Sequence, residues 1–270
     1  MRISVAFAGH AGTKPFMRLK SLIKSVFRAA QFDIVQITPE KELSQDSAYA
    51  QRTLLRARDV RTIFDIGANT GQTARQYAAD FPAATIYSFE PFDEAFAQLA
   101  QLAVRLPNVK AQKIAISDVS GVRPLFVNEG NMTNSLLPIA PGAAERIGDG
   151  AMRAMRKVEA PTDTIDAFCQ ARSIDRIDIL KMDIQGGELM ALKGASGMLG
   201  KHAVSLVYCE ILFAGLYTGQ ASFCDVLGEM QSRGYSLFGI YNCKRPAGKC
   251  VAWGDAIFLG PDLVSDGRLT

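Results

Sequence analysis

Histidine and tryptophan are nearly absent from these 270 residues, which hold two of the first and one of the second. A base for chemistry must therefore be sought elsewhere. His202 precedes an apolar strand, at the end of a parallel sheet remote from ligands, and His10 could serve only if an N-terminal arm folded over the site. Cysteine is sparse too. Five scattered thiols, an odd number, exclude a secreted disulfide framework and fit a reducing cytoplasm. Cys243 and Cys250 bracket a loop but have no further Cys or His nearby to complete a tetrahedral metal site. Excess charge is missing as well: +3 is too small to argue for nucleic acid. No apolar run is long enough to span a bilayer. The opening Met1–Ala8 has too short an apolar core for a secretion signal and reads as a short strand or arm. What remains is a 48% hydrophobic, 21% charged chain, long enough for one large α/β domain with an accessory segment.

The chain is organised around Thr62-Ile-Phe-Asp-Ile-Gly-Ala-Asn-Thr-Gly-Gln72. Ile63, Phe64 and Ile66 prefer a pleated surface, and Thr70 can cap a following helix, so the stretch reads as strand, turn, helix. Gly67 and Gly71 permit positive φ and close approach of a ligand, and Asn69 tolerates the left-handed region. In an open α/β sheet such a turn lies in the crevice beyond the carboxyl ends of the strands, where helix N–H groups also point. The Gly67-x-Asn69-x-Gly71 spacing is one residue too short for the dinucleotide fingerprint G-x-G-x-x-G. Glu90 ends the next apolar strand, Thr85–Phe89, where an acid can accept both hydroxyls of a ribose, and that would suit either kind of nucleotide.

Four motifs in order, Asp65-Ile-Gly-Ala-Asn-Thr-Gly71, Phe89-Glu90-Pro91, Leu180-Lys-Met-Asp-Ile-Gln-Gly-Gly-Glu188 and Leu192-Lys-Gly-Ala195, resemble the FkbM family of S-adenosylmethionine-dependent O-methyltransferases. The likeness covers roughly Arg61 to Gly260. It implies a class I methyltransferase fold: a Rossmann-like, doubly wound α/β sheet, mostly parallel with one antiparallel strand. It implies S-adenosyl-L-methionine as cofactor, held by Asp65, Gly67, Asn69, Gly71, Glu90 and Pro91, with Ser117 and Asp118 toward the adenine. Asp118 reads equally well as a turn acid before Gly121. Asn131–Ser135 resembles the family's polar loop over the active site, which makes Asn134 and Ser135 substrate candidates, although an Asx-rich turn would look the same. Tyr217-Thr-Gly-Gln220 also matches the family, and Tyr217 is expected to line the substrate mouth.

Residues 1–60 read as an N-terminal arm and helical appendage, and 61–270 as the cofactor-binding domain. Lys14–Phe32 is a basic amphipathic helix, suited to packing on the main domain or a second subunit of a homodimer, or else to contact with a membrane surface. Thr38–Arg61 is polar and broken by Pro39, with a second helix over Ala48–Arg58. Beyond the glycine turn a helix from Thr70, the Glu90 strand and a helix from Asp93 to Arg105 form a right-handed βαβ unit. Strands are expected over Val109–Ile116, Arg123–Asn128, Ile177–Met182, Ala203–Cys209, Tyr235–Tyr241 and Ala256–Leu259. Helices are expected over Thr164–Ala171, Glu188–Ala195 and Phe223–Arg233. Segment 138–157 has no clean period and reads as a lid or substrate insertion. Its Arg146, Arg153, Arg156 and Lys157 either meet an anionic group on a substrate or simply solvate a helix.

Methyl transfer to a hydroxyl needs orientation and removal of a proton. Asp183 and Glu210 end neighbouring strands at the cofactor crevice and are the catalytic candidates, either as direct base or as ligands of a shared Mg²⁺. Gln185 stands where the family usually has Glu and removes one anionic ligand. Glu188 reads as a first-turn helix acid, and Asp255 as a turn residue. The acceptor is expected to be a small molecule, a carbohydrate or glycosylated metabolite. A dinucleotide-dependent oxidoreductase and a non-catalytic subunit of the same fold are the rival readings.

Overall fold

A computed structural model describes residues 39–148, 152–246 and 250–265. The expected N-terminal strand, the basic helix Lys14–Phe32 and His10 lie outside the described residues. The chain divides into two compact units, Met1–Ala50 and Gln51–Thr270. In the first, helix α1 (Pro39–Gln45) begins at Pro39, which takes a helix-opening position where its missing N–H costs nothing, rather than breaking the pattern. Helix α2 (Ser47–Leu55), which runs across the boundary into the second unit, is opened by Asp46, whose Oδ1 accepts the N–H groups of Ala48 and Tyr49 at 2.9 Å each.

The second unit runs β1 (Thr62–Ile66), α3 (Gln72–Asp80), β2 (Thr85–Phe89), α4 (Asp93–Arg105), β3 (Val109–Gln112), β4 (Ala115–Ile116) and β5 (Gly121–Asn128). It continues with α5 (Ala143–Ile147), β6 (Ala154–Asp163), α6 (Ile165–Ala171), β7 (Ile177–Met182), α7 (Glu188–Lys193) and α8 (Ser196–Gly200). It closes with β8 (Val204–Leu212), α9 (Phe223–Ser232), β9 (Ser236–Lys244), β10 (Trp253–Leu259) and α10 (Pro261–Val264). Seven strands form one sheet in the order β3-β2-β1-β7-β8-β10-β9. All are parallel except β10, which runs antiparallel to both neighbours. This is the class I methyltransferase sheet, with the single reversed strand that the resemblance implies.

The centre of the sheet is apolar because helices cover both faces. All six residues of β7 are buried, including Asp178 and Lys181, whose charges are met by Arg176 and Asp65. Under β1 and β2 the Phe168 ring of α6 meets Phe64 and Tyr87 at 5.5 Å and Phe89 at 4.8 Å, all edge-on.

Several boundaries differ from expectation. The strand expected over Val109–Ile116 is two strands in two sheets. Its last rung in the main sheet is Glu90 N–H to the Gln112 carbonyl. The chain then leaves to pair β4 with β6, and the Ser117 N–H bonds the Asp163 carbonyl. Strands β4, β6 and β5 make a separate three-stranded sheet. Segment 138–157 is only partly an insertion: α5 interrupts it, and from Ala154 onward it is strand, antiparallel to β5. Both β8 and β10 extend further than expected at the ligand-facing edge, which places Glu210 inside a strand.

Candidate active site

Residues 67–71 turn between β1 and α3. Gly67 has φ 73 and packs backbone to backbone: a Cβ there would lie 1.8 Å from the Asp183 carbonyl oxygen. Its glycine is therefore demanded by the neighbouring strand end as much as by any ligand. Gly71 differs from expectation. It is the N-cap of α3 at φ 90, and a Cβ there would lie 2.5 Å from the Leu102 side chain, so it serves helix packing and does not line the cavity. The helix begins at Gln72 rather than Thr70 and has no side-chain cap. The Thr70 N–H is taken instead by Asn69 Oδ1 at 2.7 Å, and Asn69 itself has φ 48. Glu90, 7% exposed, holds the turn: its Oε2 accepts the Asn69 N–H at 2.8 Å and its Oε1 the Phe92 N–H at 2.9 Å. Burial raises the Glu90 carboxyl above its ordinary value, against those two bonds.

Asp65 lies beneath the turn, fully buried, and not on the cavity wall. It is the register partner of Lys181 across β1 and β7, and the Lys181 Nζ stands 2.9 Å from its Oδ1. The same ammonium donates to the carbonyls of Ile66 (3.2 Å) and Gly67 (2.9 Å). Burial pulls the Lys181 ammonium down, yet Asp65, Asp183 and Glu210 more than offset this and hold it above the ordinary lysine value. The pair thus fixes the backbone of the turn from below. Asp65 acts there as a support rather than as a contact for a ligand in the cavity.

Asp183, at the end of β7, and Glu210, on β8, are joined by Gln185. The Gln185 Nε2 donates to Asp183 Oδ1 at 2.7 Å and to Glu210 Oε2 at 2.9 Å. Its Oε1 accepts from the Tyr217 hydroxyl at 2.9 Å. The reverse amide orientation would set an oxygen against two carboxylates, so the chemistry fixes this one. Burial, followed by Asp183, Glu188 and Asp255, pushes Glu210 well above the ordinary carboxylate value. Glu188 is buried, and its Oε1 accepts the Ile184 N–H at 2.9 Å. Burial, with Asp183 adding to it, pushes its carboxyl up to about 7. It closes the Asp183–Gly187 turn rather than serving only as a first-turn charge.

Asp255 is no turn residue. It sits in β10 as the direct partner of Glu210 on β8, lines the cavity, and its Oδ2 accepts from the Tyr208 hydroxyl and from Asn242 Nδ2 at 2.7 Å each. Burial raises its carboxyl, against those two bonds. Trp253, Asn242 and Lys244 line the same end. Of these, Trp253, Asn242 and Lys244 carry no motif in the sequence; their one signal is that Trp253 is the sole tryptophan.

The 131–137 loop closes over this floor. The Ser135 hydroxyl donates to the Gln185 carbonyl at 2.7 Å and accepts the Leu137 N–H at 3.0 Å, which ties the loop to the Asp183 turn. Asn134 lines the cavity. Its Oδ1 accepts the Asn128 N–H at 2.8 Å, while its Nδ2 is buried without a partner. Tyr217 is 2% exposed and lies behind Gln185, so Leu216 and not Tyr217 forms the wall. Ser117 and Asp118 are not on the wall either: Ser117 is fully buried and Asp118 pairs with Arg123 at 2.7 Å, while Ala115 and Ile116 line the cavity instead. The basic residues of 138–157 are engaged elsewhere. Arg146 donates to the Pro141 and Gly215 carbonyls, Arg153 pairs with Glu129, Arg156 pairs with Glu94, and Lys157 lies over Phe126.

One cavity of about 820 Å³ joins these parts. It runs from Gly67–Asn69, Glu90 and Pro91 past Asp183 and Glu210 to Trp253 and Asp255. A donor-and-acceptor lined turn at one end and paired carboxylates at the other define a class I S-adenosylmethionine-dependent methyltransferase. The Methyltransferase FkbM domain matches residues 65–237, and the chain belongs to that family. It is 25% identical over 174 residues to 2-O-methyltransferase NoeI of Sinorhizobium fredii, covering 63% of this chain and 71% of that protein. To methyltransferase sdnD of Sordaria araneosa it is 32% identical, over 49% of this chain and 59% of that one. To 31-O-demethyl-FK506 methyltransferase FkbM of Streptomyces tacrolimicus it is 26% identical, over 57% and 66%. The crystal structure of methyltransferase FkbM from Methylobacillus flagellatus shares the fold, with a TM-score of 0.50 at 16% identity, over 82% of this chain and 50% of that one.

The two groups implied by the family fit differently. The Glu90 end suits S-adenosylmethionine: a carboxyl group that can accept hydroxyls lies beside a backbone turn, and the cavity has room for a ligand of that size. Mg²⁺ does not fit between Asp183 and Glu210, because the amide nitrogen of Gln185 already donates to both. Among the described residues no group of three or more His, Cys, Asp or Glu side chains is arranged to hold a metal ion.

Proposed function

We propose that the chain transfers the methyl group of S-adenosylmethionine to a hydroxyl oxygen of a small acceptor, a carbohydrate or glycosylated metabolite. The observation that carries this reading is the continuity of one cavity from the Glu90 turn to the Asp183–Glu210 pair. The methyl donor supplies an electrophilic sulfonium carbon when bound. Glu90 accepts the ribose hydroxyls, and the Gly67–Asn69 backbone cradles the donor's chain, held rigid by Lys181 and Asp65. Asp183 and Glu210 take the proton of the attacking hydroxyl. Gln185 keeps the two carboxylates in place and neutralises part of their repulsion, and burial with the neighbouring acids raises the proton affinity of Glu210 above that of an ordinary carboxylate. The names of NoeI and FkbM, both of which carry O-methyl chemistry, support oxygen as the acceptor atom.

Asp183→Asn keeps shape but removes charge. Turnover on a true acceptor should fall by about 10²–10⁴ while S-adenosylhomocysteine affinity stays the same. Retained turnover would return Asp183 to the role of a turn acid. With a direct carboxylate base, EDTA should leave the wild-type rate unchanged, whereas inhibition reversed by Mg²⁺ would show that an ion displaces the Gln185 amide. Binding of NAD in place of S-adenosylhomocysteine would favour the oxidoreductase rival.

A further inference from the structure

The β9–β10 hairpin forms a part of the cavity that no motif accounts for. Trp253 and Asp255 lie two residues apart on β10, hence on one face, and both line the cavity. Their partners on β8, Leu212 and Glu210, line it too. On the other side the pairing slips. Lys244 faces Trp253 and Tyr241 faces Asp255, so Asn242 and Cys243 together oppose Gly254. Such a bulge re-aims a side chain. Asn242 sits in it at φ 50, a left-handed conformation that is unfavourable for most residues other than glycine and that asparagine tolerates best. Gly254 makes room for it, since a Cβ there would lie 3.0 Å from the Tyr241 carbonyl and 3.2 Å from Cys243 Sγ. The result is that Asn242 turns its amide onto Asp255 inside the cavity. A hairpin kept only for packing gains nothing from placing a half-buried carboxylate directly opposite another.

We propose that this hairpin is an acceptor subsite for a polyhydroxylated ring. Asp255, held in place by Asn242, takes a hydroxyl next to the one methylated, and Trp253 offers its face to the ring's C–H side. The inference rests on the reading of the chain as a methyltransferase for carbohydrate hydroxyls, and it names the residues that would choose among them. The chemistry is matched on both sides. A sugar ring has a rim of O–H groups and two faces of C–H groups, and the subsite sets a carboxylate and an amide beside an aromatic ring. Both bonds that orient Asp255 fall on Oδ2, which leaves Oδ1 to accept from a hydroxyl through a charge-assisted bond. A ring with one hydroxyl would bury Asp255 without that partner, which is how a polar site rejects an apolar analogue.

Trp253 is the only tryptophan, so its emission reports this subsite directly. The full chain, saturated with S-adenosylhomocysteine, is titrated with methyl pyranosides of differing hydroxyl configuration, and with cyclohexanol as the single-hydroxyl ring. At least one pyranoside should change the emission saturably, and cyclohexanol should not at the same concentration. Asp255→Asn, which keeps the shape, and Asn242→Gly, which keeps the left-handed backbone, should each weaken the pyranoside response tenfold or more. Affinity for S-adenosylhomocysteine, read by calorimetry, should be unchanged in both. Absence of any pyranoside response in protein that binds S-adenosylhomocysteine overturns the subsite and leaves the methyltransferase reading standing. So does an equal response to cyclohexanol, or full affinity in both variants. A pyranoside response that depends on Asp255 in protein that binds no S-adenosylhomocysteine would keep the subsite and remove the reading it rests on.

Discussion

The two ends of the cavity are built by different means. On the reading proposed above, the donor end is backbone: a five-residue turn, Gly67–Gly71, pinned by Glu90 from the side and by the Lys181–Asp65 pair from below. The acceptor end is side chains brought together by strand order. Asp183, Glu210, Asp255 and Asn242 come from β7, β8, β10 and β9, and only the reversed β10 lets a strand start, Trp253–Asp255, meet the ends of its neighbours. A site made of main chain tolerates almost no change, whereas one made of side chains can be altered residue by residue.

The sharpest break in that contrast is Gly67→Val. A Cβ 1.8 Å from the Asp183 carbonyl, on a backbone at φ 73, cannot be accommodated without moving the turn. Calorimetry should find no S-adenosylhomocysteine binding by this variant, and normal binding would remove the turn from the site. Glu90→Ala comes next. It removes an acceptor for the ribose and frees the N–H groups of Asn69 and Phe92, so donor affinity should weaken by about 1.5–3 kcal/mol in a folded protein. If acceptor-end variants such as Asp255→Asn disturbed donor affinity equally, the division between the two ends would be lost.

The last expected effect is on stability rather than on binding, and it bears on neither end's ligand. Glu188 carries a folded-state value of about 7, above its ordinary 4.5, so between those values the native state binds the extra proton. Its contribution is fully present below about pH 4.5 and is lost as pH rises to about 7, an amount of roughly 3 kcal/mol by linkage. Glu188→Gln should therefore flatten the decline of unfolding free energy between pH 4.5 and 7, measured by urea denaturation at several pH values. An unchanged slope would mean that the carboxyl is ionised in the folded protein.

Legibility in the sequence follows the same division. The glycine turn, Glu90, the strands of the main sheet and the placing of Asp183 and Glu210 beside the cavity are legible, because local spacing and strand-end position encode them, whereas the start of β6 at Ala154 is not. Gly71 and Asp65 look like ligand residues in the sequence because a sequence shows that a turn is tight, not which neighbour makes it so. Here the neighbours are Leu102 and Lys181. Asp255 read as a turn acid because nothing within its own strand reveals that Glu210 faces it 45 positions away. The bulge at Asn242 depends on register between two strands and has no signature along one. The split of Val109–Ile116 likewise reflects competition between two sheets for one extended segment.

The contact between Gly67 and the Asp183 carbonyl bears on how such enzymes can diverge. With main chain on both sides, position 67 is closed to every other residue, and no gradual series of substitutions leads through it. On the reading proposed above, a descendant of this chain that takes a different acceptor would differ in cavity side chains such as Trp253, Asn242, Asp255 or those of the 131–137 loop, and position 67 would still be glycine.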